Sequence, residues 1–103
     1  MGTIKLSENN NQQRIQIAVN DVIQIQLDES PTTGYKWEIM ELNTNDLQVI
    51  SEEFKLNPDT GIGGGGKKLI QLKILKKAAG RIKLENRQPW SGDVYKRFEV
   101  SYS

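Results

Sequence analysis

The segment most suggestive of chemistry is Gly61-Ile62-Gly63-Gly64-Gly65-Gly66-Lys67-Lys68. Gly61, Gly63 and Gly66 satisfy G-x-G-x-x-G, and Gly66-Lys67 falls one residue short of a P-loop, with Lys68 where a Ser or Thr would hold magnesium. Such glycines bind phosphate only where they follow a buried strand and open a helix, whose N-terminus takes the charge. Here a turn-forming run, Asn57-Pro58-Asp59-Thr60, precedes them. Leu69 to Ile74 follows with apolar residues at 70, 72 and 74, the period of a half-buried strand. The context for a nucleotide site fails on both sides, and the glycines need another reason.

Other chemistry is narrowly bounded. The chain has no cysteine and no histidine, which removes disulfides, thiolates, Cys/His zinc sites and imidazole triads. Glu8, Glu52 and Glu53 could serve as acids or bases by type, but they lie in polar runs that read as solvated surface. We therefore expect no enzyme, metal or cofactor. The 14 basic and 13 acidic residues give a net charge of +1, so neither nucleic acid nor an anionic membrane is an expected partner. No apolar run approaches a membrane span, and Met1 to Lys5 lacks the apolar region of a signal peptide. The chain as given reads as cytoplasmic unless a leader was removed, which leaves the compartment open. The length of 103 residues suits a single domain over 1–103, expected to be monomeric.

Period-two alternation recurs along that length. Strand-like segments fall at Thr3 to Ser7, Ile15-Ile17-Val19, Ile23-Ile25-Leu27, Tyr35-Trp37-Ile39, Leu47 to Leu56, Leu69 to Leu75, Ile82-Leu84 and Phe98-Val100-Tyr102. About eight strands with turn residues between them predict an all-β, antiparallel sandwich or barrel. Glu8 to Gln13 reads as a solvated loop, Asn20-Asp21 and Ala79-Gly80 as tight turns, and Glu41 to Asp46 has room for one helical turn. Trp37 shares a face with Tyr35 and Ile39 and reads as core.

Three longer connections follow alternate strands, at 29–34, 57–67 and 87–94. Successive antiparallel strands reverse direction, so these loops should gather at one end. In the first, Pro31 fixes its own φ and Gly34 relaxes its own, so Thr32 and Thr33 form a stiffened tip before Tyr35. In the second, five glycines surround Ile62, leaving bare backbone that can approach another surface. In the third, Arg87-Gln88-Pro89-Trp90-Ser91-Gly92 places a Trp outside the alternating pattern. It is either an interface anchor or a cover folded back over the sandwich end.

Pro-Thr-Thr-Gly-aromatic, a glycine-rich loop and Pro-Trp-Ser-Gly, in that order over nearly the whole chain, resemble the chagasin-type inhibitors of papain-family cysteine proteases. The resemblance implies an immunoglobulin-like sandwich. It also implies a reversible, non-covalent inhibitor of a papain-family, cathepsin L-like protease, whose cleft the three loops occlude. The implied contact residues are Pro31, Thr32, Thr33, Gly34, Tyr35, Ile62, Gly63, Gly64, Arg87, Pro89 and Trp90. Thr32 would sit nearest the catalytic Cys and His. Ile62 would enter the apolar pocket that reads the substrate residue next but one to the cut, and Trp90 would pack on aromatic protease surface. The chain departs from the family in three places. Gln88 stands directly before Pro-Trp where Arg is usual, with Arg87 one place earlier and pointing the other way by alternation. Ser30 replaces the usual Asn before Pro, and the glycine run is longer. The residues by themselves leave other readings: an immunoglobulin-like module for another protein or a carbohydrate, with Trp90 and Tyr35 stacked on sugar, a nucleotide enzyme built on 61–67, or a structural domain.

Overall fold

The computed structural model describes residues 2–30, 33–56 and 65–103. Alternation along the chain becomes two stacked sheets. The strands are β1 (Thr3–Leu6), β2 (Arg14–Ile15), β3 (Val22–Glu29), β4 (Lys36–Glu41), β5 (Leu47–Leu56), β6 (Gly66–Ile74), β7 (Gly80–Arg87) and β8 (Val94–Tyr102), with a 3₁₀ turn at Glu8–Asn10. One sheet has the order β1-β3-β6-β5 and the other β2-β8-β7-β4, so the sandwich holds and the barrel does not. All pairings are antiparallel except two short edge pairs, β1 with β3 and β2 with β8.

Register explains the core. Ile23 lies opposite Leu72 and Ile25 opposite Ile70 in one sheet, while Ile82 faces Val100 and Leu84 faces Phe98 in the other. Directly opposed residues share a face, so each pairing doubles an apolar row. The two rows meet between the sheets with Leu27, Trp37, Leu47, Ile74 and Tyr102, all buried. Such burial contributes roughly 1.5–3 kcal/mol per aliphatic side chain.

The second predicted segment is shorter than its alternation suggested. Only Arg14 and Ile15 pair with β8; Ile17 is buried outside any strand, and Val19 is 46% exposed in a turn. The chain must leave one sheet for the other here, and Asn20 takes a positive φ of 73° to do so. Gly80 opens β7 rather than closing a tight turn, because it pairs with Tyr102 at the end of β8. The expected helical turn before β5 is present, with the amide of Leu47 donating to the carbonyl of Asn43 at 3.0 Å. The long edge strand β5 carries a register shift between Val49 and Ser51.

At the end opposite the three loops, the Tyr102 hydroxyl donates to the buried carboxylate of Asp46 at 3.1 Å. Lys76 Nζ stands 3.7 Å from the same carboxylate. Burial, then the hydrogen bond and charge of Asp46, push the Tyr102 phenol up to about 12. In the unfolded chain a tyrosine ionises near pH 10. The folded state therefore holds its proton longer, and this contribution to stability is full below about pH 10 and lost as pH rises towards about 12. Tyr102→Phe should cost about 1.5–3 kcal/mol at neutral pH, the worth of a hydrogen bond to a charged group. It should also flatten the alkaline decline. Denaturant unfolding of both proteins at neutral pH and in the alkaline window checks this; parallel declines would assign the loss to another group.

Candidate functional site: three loops at one end

Strand register brings the three connections together. Glu29 and Leu56 both lie opposite Gly66, while Lys36 and Val94 both lie opposite Arg87. The connections 30–35, 57–65 and 88–93 therefore leave from one end of the sandwich. They are tighter than the sequence boundaries. Glu29, Gly66, Lys67, Arg87 and Val94 belong to strands, because ladder pairing extends the regular structure to those residues.

The first loop is closed by Thr33. Its amide and its hydroxyl both donate to the carbonyl of Ser30, at 3.2 and 2.7 Å. Its hydroxyl also accepts from the amide of Tyr35 at 3.3 Å. Thr33 is thus exposed, but its hydroxyl is spent inside the loop. Gly34 has φ of 79°, a conformation that favours glycine. Pro31 and Thr32, the other tip residues, lie outside the described residues.

The third loop is a closed turn around Gln88. The Gln88 carbonyl accepts from the amides of Ser91 and Gly92 at 3.3 and 2.9 Å, and its side-chain oxygen accepts from the Ser91 hydroxyl at 2.9 Å. This turn leaves Pro89 and Trp90 exposed, Trp90 to 73%. The ring of Trp90 nevertheless lies on Gly34, so closely that a Cβ built there would overlap the six-membered ring. Gln88 Nε2 donates to the carbonyl of Thr33 at 3.3 Å. The expected cover is present, since one face of Trp90 lies over the first loop, and the rest of the ring is open to solvent. Gln88, read as a departure from the family, is the residue that ties the two loops. The sequence offered no signal for that contact beyond its position.

Ile62, Gly63 and Gly64 of the second loop lie outside the described residues. The end of the run has a structural reason. Gly66 pairs in β6, and a Cβ there would overlap the carbonyl of Lys55 and the ring of Phe54. Arg87 turns outward, as its place beside the inward Asn86 requires. Its guanidinium stands 3.7 Å from Glu38 and 4.0 Å from Glu85 on the sheet surface. Beneath the loops, Trp37 donates its indole N–H to the carbonyl of Asp28 at 2.7 Å and its amide to Glu29 Oε1 at 2.7 Å. The Tyr35 ring packs against Tyr95, 5.7 Å between centroids, and Tyr95 was not anticipated as part of this end.

The sequence model of the chagasin family of peptidase inhibitors matches residues 16–102. The chain belongs to that family. Amoebiasin-2 of Entamoeba histolytica is 36% identical over 95% of this chain and 80% of its own. Chagasin of Trypanosoma cruzi is 26% identical over 93% of each. A crystal structure of a cysteine protease inhibitor from Entamoeba histolytica superposes with a TM-score of 0.90 at 31% identity, over 98% of this chain and 94% of that one. The sandwich of this chagasin-family inhibitor is accordingly immunoglobulin-like, as the resemblance implied, and its family is one of inhibitors rather than enzymes.

The Gly34–Trp90 contact predicts a specific lesion. Gly34→Ala must strain the backbone by about 1–2 kcal/mol and displace the indole. The protein should stay folded while Trp90 fluorescence becomes more accessible to acrylamide. Unchanged quenching would show that the loops do not depend on that contact.

Proposed function

We propose that this protein reversibly inhibits papain-family cysteine proteases, as a monomer, by seating its loop end in the active-site cleft. The observation that carries the reading is the coupling of loops 30–35 and 88–93 into one unit through Gln88, Thr33, Gly34 and Trp90. A pre-shaped wedge has little order left to lose on binding. Thr32, at the tip of the first loop, enters beside the catalytic thiolate–imidazolium pair. It blocks access without placing a carbonyl for attack. Ile62 fills the apolar pocket of the cleft, with Gly63 and Gly64 letting backbone approach the substrate groove. Trp90 and Pro89 pack on the far wall, while Tyr35 supports the first loop from below. Arg87 holds the base of its loop against Glu38 and Glu85, beside the contact surface. The interface buries about 800 Å² on each partner.

The membership of the family and the likeness to a cysteine protease inhibitor support this reading. So does an exposed Trp anchored on one face, the typical form of an interface hot spot. Titration into papain or a cathepsin L-type enzyme, with a fluorogenic peptide as reporter, should give competitive, reversible inhibition. Thr32→Asp should weaken it by about 3 kcal/mol or more, roughly a hundredfold, because the cleft would bury an uncompensated charge. Trp90→Ala should cost about 2 kcal/mol in an intact fold. A folded protein that leaves every papain-like enzyme active would refute the proposal.

A further inference from the structure

The inward positions change character just below the loops. Along β3 they run Ile23, Ile25, Leu27, Glu29, and along β7 Ile82, Leu84, Asn86. The apolar core thus ends in a carboxylate and an amide, 7% and 4% exposed. They line an open cleft of about 310 Å³ with Thr33, Tyr35, Tyr95 and Lys96. Glu29 Oε1 accepts from the Trp37 amide, while its second oxygen has no donor among the described residues. Asn86 Oδ1 also has no hydrogen-bond partner. The neighbouring charges are already matched. Asp28 pairs with Lys67, and Lys96 Nζ lies 3.5 Å from Glu8 Oε2 and 5.3 Å from the centre of the Tyr95 ring. Among the described residues no cation pairs with Glu29, whose carboxylate borders the cleft with only the Trp37 amide donating to it, so a cation entering there would find an acceptor.

We propose that this cleft is a subsite for one arginine side chain of the inhibited protease. The guanidinium is suited to it by number and shape. It supplies several donors in one plane for Glu29 and Asn86, is weakly hydrated, and stacks on aromatic faces such as those of Tyr35 and Tyr95. Thr33 belongs to both the cleft and the first loop, so a protease seated on the loop end covers the opening. The assignment to a protease rests on the function proposed above; the affinity for a guanidinium does not.

The test uses ethylguanidinium as probe and ethylurea as its neutral counterpart. In an amide-resolved NMR titration of the whole protein, ethylguanidinium should give saturable shifts at Thr33, Tyr35, Asn86 and Tyr95, and ethylurea should not. Glu29→Gln keeps an acceptor for the Trp37 amide but removes the charge, and should weaken the probe about tenfold, the worth of a charge-assisted hydrogen bond. Tyr95→Ala, at an exposed position, should weaken it about threefold through the lost ring face. It decides the matter if Glu29→Gln fails to fold. The absence of saturable shifts, or equal shifts with ethylurea, would overturn the subsite. In the inhibition assay, ethylguanidinium should weaken the wild-type inhibitor at concentrations about tenfold below those that affect Glu29→Gln. Inhibition indifferent to the probe would overturn the assignment to a protease side chain. A wild-type protein that fails to inhibit without any probe fails the parent proposal instead, and the two failures are read from separate measurements.

Discussion

The loop end depends on one buried indole. Between β3 and β4 the chain must pass from one sheet to the other within residues 30–35, and such a crossing has no ladder to hold it. Trp37 supplies the missing bonds. From the second sheet it donates its ring N–H to the backbone of Asp28 and its amide to the side chain of Glu29, both on the first. A buried donor left without an acceptor costs about 1–3 kcal/mol, so each bond resists separation of the sheets at this end. The described residues of the first loop, Ser30 and Thr33 to Tyr35, lie between the two stretches of chain that this clamp joins.

Rigidity then passes outward by contact rather than by regular structure. Thr33 closes its own loop on Ser30, Gln88 reaches across to Thr33, and Trp90 lies on Gly34. Each bond alone is modest. Together they join the described residues of two surface connections, an arrangement suited to recognition by shape. A loop that stays in place before its partner arrives needs no large interface to bind well.

Much of this was legible in the sequence, because period-two alternation is a local property. Ile23, Ile25 and Leu27, or Phe98, Val100 and Tyr102, announce their face without reference to a partner strand. The gathering of three connections at one end followed from strand reversal alone. What escaped were consequences of pairing at long range. Ile17 and Val19 alternate like a strand, yet only Arg14 and Ile15 meet β8 before the chain must cross. The parallel edge pairs are equally silent, since nothing in Thr3 to Leu6 specifies which neighbour it will join. The importance of Gln88 lies in a bond to a carbonyl distant in sequence, and Tyr95 is the residue left without a partner where the β7–β8 register shifts between Asn86 and Arg87. Alternation turned Arg87 away from the direction usual in the family, but the carboxylates it meets, Glu38 and Glu85, depend on strand pairing.

The shift in β5 has a bearing on how the protein keeps company with itself. This strand is the outermost of its sheet, ten residues long, with Val49 and Ile50 exposed. A flat edge of that length is a template on which a second chain could add strand upon strand and begin to aggregate. The irregularity between Val49 and Ser51 breaks the evenly spaced row of amides beside those two apolar residues, and Glu52, Glu53 and Lys55 put charge along what remains. An inhibitor whose working surface invites contact at one end is, along its longest open edge, built to refuse it.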